Sequence, residues 1–359
     1  MSDAPLPPGS TIGILGGGQL GRMLAIAAAR LGLRTHIYEP EPDPPAADVA
    51  AALTTAAHGD SAALERFAES VDVVTFEFEN VPAAAAGTLM AHAPVRPHPR
   101  ALAVSQDRAE EKAFLNRIGI ATAPWRAVAS LDELEAALAA LGTPAILKTR
   151  RLGYDGKGQA RIAEAGAAQA AWEAIGGAPA VLEGMVAFVR ELSVIGARAP
   201  GGAVVAYDPG ENLHAGGILR RTTVPAASAP AVQDAARRIA GAILGALDYV
   251  GVMGVELFET ADGALLVNEI APRVHNSGHW TIEACVVDQF QQHVRAVAGW
   301  PLGDGARHSD AVMTNLIGDE AGRWHEIAAS GDALHLYGKR AARPGRKMGH
   351  VTRITPRTG

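Results

Sequence analysis

The sequence predicts a mixed α/β and α+β protein of more than one domain. Three observations carry that expectation. At 359 residues the chain exceeds one ordinary core, and a hydrophobic content of 48% supplies apolar side chains for two or three. The first hundred residues alternate strand-like and helix-like patterns. Beyond residue 250, two apolar segments flank an Asp-Gly turn, an antiparallel hairpin signal.

The first unit opens with a strand at 11–15, followed by Gly16-Gly17-Gly18-Gln19-Leu20-Gly21, which fits G-x-G-x-x-G. A helical pattern runs over 19–31. A second strand at 35–38 ends at Glu39, 18 residues after Gly21, roughly where a ribose-binding acid stands in a Rossmann-like unit. On these residues alone the turn could serve a nicotinamide dinucleotide or some other phosphate. A helix at 61–69 and a strand at 71–76 follow. That strand ends in FEFENVP, placing Glu77, Glu79 and Asn80 at a carboxyl end, where open α/β sheets bind ligands. Residues 1–10 are expected to be a disordered lead.

A helix over 107–118 stops at Gly119. Residues 120–190 hold a strand at 145–148, a glycine loop to Gly158, a helix near 165–175 and a strand at 180–183. The next unit has a strand at 191–197, the segment ENLHAGGILR, a helix at 230–247 and the hairpin. The tail carries the strands AVMTNLIG and ALHLYG and then a basic run. Expected boundaries are 11–106, 107–300 with a lid at about 120–190, and 301–359. Thirty-two basic against 38 acidic residues give a net charge of −6, which argues against nucleic acid as main partner. The single cysteine, Cys285, excludes an internal disulfide and a cysteine-based zinc site. The start lacks a signal-peptide pattern, and the longest apolar run is broken by Asp248, so a soluble cytoplasmic protein without membrane contact is expected.

Four groups carry chemistry. Side chains alternate with period two, so either short hairpin loop puts Glu256 and Glu269 on one face, directly opposed or one diagonal apart. Two such acids call for a cation between them, and oxygen-only ligands suit Mg²⁺; the competing reading is a solvated sheet face. Alternation sends the neighbouring Asn268 to the other face. Lys148 closes a buried-looking strand before a loop with Gly153, Gly156, Lys157 and Gly158, where backbone N–H groups and lysine suit phosphate; the same residues also fit a flexible surface turn. Glu183 and Glu191 stand at strand ends, able to accept from ribose hydroxyls or merely solvated. His275 and His279 are four apart, but Pro272, Asn276, Ser277 and Gly278 make this a loop, so anion binding by Arg273 and His275 is favoured over zinc.

Together, GGGQLGRML, FEFENVP, QDRAEEK, GYDGKGQ, ENLHAGGILR, NEIAPRVHNSGHWT and RPGRKMGH resemble the ATP-grasp superfamily. More closely, the chain resembles the N5-carboxyaminoimidazole ribonucleotide synthetase family, with the motifs in order across 11–351. The resemblance implies an ATP-grasp fold with a Rossmann-like pre-ATP-grasp domain and a small β-rich C-terminal domain. It implies carboxylation of 5-aminoimidazole ribonucleotide by ATP and bicarbonate through carboxyphosphate, with Mg²⁺ (two ions) and no NAD, in a homodimer. Arg108, Lys148, the loop Gly153, Tyr154, Asp155, Gly156, Lys157, Gly158 and Gln159, then Glu183, Gly184, Met185, Val186, Glu191, His214, Asn268 and Glu269 go to ATP by this resemblance. Gly18, Gln19, Leu20, Glu77, Asn80, Tyr154, Asp155 and Asn276 go to the ribonucleotide. Arg273, His275, Lys339 and Arg346 hold bicarbonate, carboxyphosphate or the ribonucleotide phosphate, with Glu256 and Glu269 on the metal. The glycine loop is the expected lid. The family usually continues past the GH of RKMGH with a further helix, which this sequence does not. Rival readings are a formate-using glycinamide ribonucleotide transformylase, a Rossmann oxidoreductase and a non-catalytic nucleotide-binding scaffold.

Overall fold

The computed structural model describes residues 4–153 and 157–358. Tyr154, Asp155 and Gly156, three of the expected glycine-loop residues, lie outside the described residues. The first unit is a four-stranded parallel sheet in the order Ala52–Thr54, Arg34–Tyr38, Thr11–Leu15, Val73–Phe76. Its central strand TIGIL is buried on both faces, as parallel strands are, and feeds the helix Gln19–Arg30 through the glycine turn. Gly16 sits at φ +100, a left-handed conformation only glycine adopts without strain. The strand Ala52–Thr54 and the helix Ala83–His92 had no counterpart among the expected elements.

The segment expected as a lid forms a small antiparallel sheet, Trp125–Val128, Ala180–Gly184, Ala145–Thr149, Gln159–Ile162. One face is covered by the helix Leu131–Leu141, whose N-terminus is capped by the Ser130 hydroxyl.

The central sheet runs Leu265–Ala271, Gly251–Thr260, Phe188–Arg198, Gly210–Ala215, Ile218–Val224 and then, without interruption, Ser309–Ile317, Lys347–Pro356, Ala333–Leu336. The helix Pro230–Ala246 packs Ile243 and Leu244 against Leu192, Val194, Met253 and Val255. The C-terminal strands therefore extend the central sheet rather than forming a separate one. Past His350 the chain continues as strand to Pro356. A second packing feature binds the units together. Ile12, Ile14, Leu24 and Val73 share one buried cluster with Val252, Phe290, Val294, Met313 and Tyr337. Among the described residues no helix is long and apolar enough to cross a membrane.

Candidate active site

The site lies where the three sheets converge, and the hairpin anchors it. Glu256 stands directly opposite Glu269, and the pairing then shifts so that Leu257 faces Val267. The shift leaves Asn268 as the extra residue of a β-bulge, which breaks strict alternation. Asn268 therefore does not turn to the far face: its Oδ1 lies 3.5 Å from Lys148 Nζ. Neither regular register accounts for this hairpin; near the turn Thr260 N–H donates to Ala264 O, and the bulge restores the acid pair.

Each acid has a distinct electrostatic setting. Burial and the facing Glu269 push the Glu256 carboxyl up to about 7. Burial also raises Glu269, but Arg108 at 3.0 Å outweighs it and keeps that carboxylate ionised. Opposed, partly buried carboxylates beside an amide oxygen, with the proton affinity of one raised by burial and by the other, form a donor set fit for a hard divalent cation. Two protein carboxylates leave the rest of such a cation's shell to phosphate oxygens and water.

Arg108 opens the helix Arg108–Arg117, whose N-cap Asp107 also holds Arg150 at 2.9 Å. One turn on, Glu111 accepts from Ile270 N–H at 2.7 Å, the residue after Glu269. Burial first, then Glu269, raises the Glu111 carboxyl to about 8. Lys148 and Glu183 point to one face of the lid sheet because Glu183 pairs with Ile146, two residues from Lys148. The Glu183 carboxylate lies 3.0 Å from Lys148 and 3.2 Å from Lys112. Burial raises its pKa, and the two ammoniums outweigh burial and hold it low. Glu183 is thus not an acceptor waiting for ribose; both its oxygens face lysines, and it is 3% exposed. Glu191 remains half-open and pairs with His214 Nδ1 at 2.5 Å. Between them, Gly184 ends the strand and Met185 and Val186 begin the connection, with Met185 exposed. Of the glycine loop, Gly153 O accepts from Arg108 at 3.3 Å, Gly158 O accepts from Thr149 N–H, and Lys157 and Gln159 are exposed.

On the opposite side of the cleft, the glycine turn differs from expectation. Gly17 N–H donates to Glu39, while Gly18 and Gly21 N–H both donate to Glu77 at 2.6 Å. The N–H groups that would cradle a ligand phosphate are held by the protein's own carboxylates, which satisfy the helix N-terminus and its dipole. Gly18 has φ −74, so its need for glycine is steric: a Cβ there would meet Glu77 Oε1 at 2.6 Å. Gln19, on the same first turn, accepts from Lys339 Nζ at 2.5 Å, and Leu20 packs into the shared core. Asn80 is exposed.

Arg273 forms an ion pair with Glu79, linking the strand end of the first unit to the segment after the hairpin. Burial raises Glu79, yet Arg273 overrides it and brings the carboxyl to about 2. His275 is neutral, not cationic. Burial and the nearby Arg273 and Lys347 hold its imidazole at about 3. Its Nε2 lies 3.5 Å from Glu256 and its Nδ1 2.8 Å from Ser277 Oγ. His279 turns away into the core against Gln289 and His350. Asn276 makes a reciprocal amide pair with buried Asn315 at 2.9 and 2.7 Å, so its side chain links two segments instead of facing a ligand. Arg346 donates to Ala341 O within its own loop. Sequence reasoning passed over Glu111, Lys112 and Lys347 and gave Glu79 no ion-pair partner. Lys347 acts on Glu256, His214 and His275 together. QDRAEEK and RPGRKMGH contained three of these four, but helix face and sheet register decide which side chains turn inward.

Three family models match successive stretches of the chain. The ATP-grasp domain model matches residues 113–290, the ribonucleotide synthetase preATP-grasp domain residues 10–106, and the phosphoribosylaminoimidazole carboxylase C-terminal domain residues 311–358. The chain is an ATP-grasp ligase. The N5-carboxyaminoimidazole ribonucleotide synthase of Brucella melitensis biotype 1 is 58% identical over 100% of both chains. The Thermus thermophilus synthetase structure superimposes with a TM-score of 0.90 at 45% identity, covering 96% of this chain and 93% of that one. The Aspergillus clavatus synthase, solved with ADP and 5-aminoimidazole ribonucleotide, gives 0.90 at 32% identity over 97% of this chain and 94% of that one. The chain belongs to the N5-carboxyaminoimidazole ribonucleotide synthase family, which works in purine biosynthesis.

Proposed function

We propose that this site carboxylates 5-aminoimidazole ribonucleotide at its exocyclic nitrogen, using ATP and bicarbonate through carboxyphosphate. The observation that supports the reading most is one cleft in which the opposed Glu256 and Glu269, bulged Asn268 and Lys148 meet Arg273 and neutral His275.

Bicarbonate is a poor electrophile, because its carbon bears an anionic oxygen and hydroxide is a bad leaving group. Attack of a bicarbonate oxygen on the γ-phosphorus forms a P–O bond and releases ADP. The ribonucleotide amine then attacks the carboxyl carbon, the C–O bond to phosphate breaks, and inorganic phosphate leaves. The first step joins anions and depends on placed positive charge. Glu256 and Glu269, with Asn268, would hold Mg²⁺, two ions in the full reading. Bound there, Mg²⁺ would supply charge neutralisation at the β- and γ-phosphate oxygens. Lys148 and Arg108 would face the same phosphates. Residues 184–186, Glu191 and His214 take the adenosine. A neutral His275 orients the carboxylate by hydrogen bonding, and its low pKa makes it an acceptor for the amine's proton only transiently. Arg273, Lys339 and Arg346, with Gln19 and Glu77 lining the cleft, hold bicarbonate and the ribonucleotide. Carboxyphosphate hydrolyses in water, so an enclosed cleft is part of the chemistry.

A homodimer and a cytoplasmic setting belong to the same reading and are supported by the family resemblance; sedimentation tests the former. A coupled assay of ADP release tests the reaction. ADP should form with the ribonucleotide and bicarbonate, and formate should not replace bicarbonate. Formate-dependent turnover with glycinamide ribonucleotide would instead support the transformylase.

A further inference from the structure

The helix that carries Arg108 holds a second cation far less accessible than the first. Lys112 is 1% exposed, among the largest fully buried side chains of the chain. It lies one turn from Arg108 and so shares its face. Its Nζ stands 3.2 Å from one oxygen of Glu183, and Lys148 Nζ stands 3.0 Å from the other. Two ammoniums against one carboxylate leave one positive charge uncompensated within the triad. The surroundings do not cancel it. Arg108 is matched by Glu269 and Asp107 by Arg150, and the Glu111 carboxyl is engaged by Ile270 N–H at 2.7 Å. A net charge in a buried setting is costly until a counter-charge arrives.

The two lysines are not equivalent. The Lys148 side chain is 11% exposed, and its Nζ also reaches towards Asn268 beside the acid pair. Among the described residues Glu183 is the one carboxylate within ion-pair reach of Lys112. We propose that Lys112 is a positioning residue that keeps Glu183 paired, so that Lys148 can leave it for the phosphates of ATP. With Lys112 absent, Lys148 and Glu183 would form a neutral pair, and binding phosphate would strand a buried carboxylate. The inference rests on the reading of Lys148 as a phosphate ligand. A purely structural ion pair, tying helix to lid sheet, predicts lost stability with no preference for one substrate.

The test is direct ATP binding by calorimetry, with steady-state kinetics and thermal melting, on wild type, Lys112→Met and Lys112→Met/Glu183→Gln. The single variant should bind ATP at least about tenfold more weakly and raise the KM for ATP. The KM for the ribonucleotide should stay within about twofold, because that ligand lies across the cleft from the triad. The double variant leaves Lys148 uncommitted again and should recover most of the ATP affinity. Wild-type ATP affinity in Lys112→Met, or no recovery in the double variant, overturns the proposal. If Lys112→Met does not fold, Lys112→Gln, polar but uncharged, carries the same expectation. Failure of the wild type itself to bind ATP would instead overturn the functional reading.

Discussion

At the scale of single residues, charge and burial make distinct demands. Glu269 is ionised, aligned by Arg108 and directly opposed to Glu256. Glu269→Gln keeps the shape and removes the charge, so turnover should fall at least about 100-fold at saturating Mg²⁺ while the melting temperature changes little. Near-normal turnover would remove this acid from the metal site. Glu111 gives a second test, through pH. Its pKa rises from 4.5 to about 8 on folding, so the folded state binds the proton more tightly. The corresponding stability is fully present below 4.5 and is lost as pH climbs through about 8. Glu111→Gln is neutral throughout and keeps an acceptor for Ile270 N–H. The wild type should therefore lose stability relative to the variant between pH 5 and 8, by roughly 4 kcal/mol at most. Parallel stability curves for the two proteins would show that Glu111 is ionised at neutral pH.

At the scale of elements, the glycine turn and the hairpin show what sequence pattern reveals. The strands Thr11–Leu15 and Arg34–Tyr38 and the helices Ser61–Glu69, Arg108–Arg117 and Pro230–Ala246 stood within a residue or two of their sequence signals. Their apolar periods and caps are local properties. The strand Lys347–Pro356 was hidden, because its buried positions include His350 and Thr352 and no apolar alternation marks it. The helix Ala83–His92 is nearly all alanine and other small or apolar residues, without a polar face to set its period. Asn268 was misdirected for a different reason: a bulge depends on the partner strand, and no single strand declares it. The glycine fingerprint was legible, but its occupants Glu39 and Glu77 come from other strand ends. Gly18→Val must therefore displace Glu77 rather than fill empty space. It should raise the KM for the ribonucleotide by about tenfold or more and leave ATP affinity nearly unchanged, with melting measured alongside. An equal loss of both ligands in a folded variant would place the turn with ATP.

At the scale of the whole molecule, the units share their core. The helix Gln289–Val297 packs on Gln19–Arg30, and buried Thr75 bonds His293 at 2.8 Å. Residues 1–106 expressed alone should lack one wall of their core and show dye-binding, poorly dispersed behaviour by NMR, whereas the full chain should melt cooperatively. A well-folded fragment would show that the shared cluster is dispensable. The cleft exists because the first sheet is fixed to the central one through Glu79–Arg273 and Gln19–Lys339, and the lid sheet reaches the hairpin through Lys148 and Asn268. The central claim is that this cleft activates bicarbonate by phosphorylating it. Turnover with ¹⁸O-labelled bicarbonate in unlabelled water tests it most directly, read by mass spectrometry of the phosphate released. One ¹⁸O should appear in each phosphate, because the oxygen that attacks phosphorus leaves with it. Phosphate that carries oxygen only from ATP and water would contradict the account.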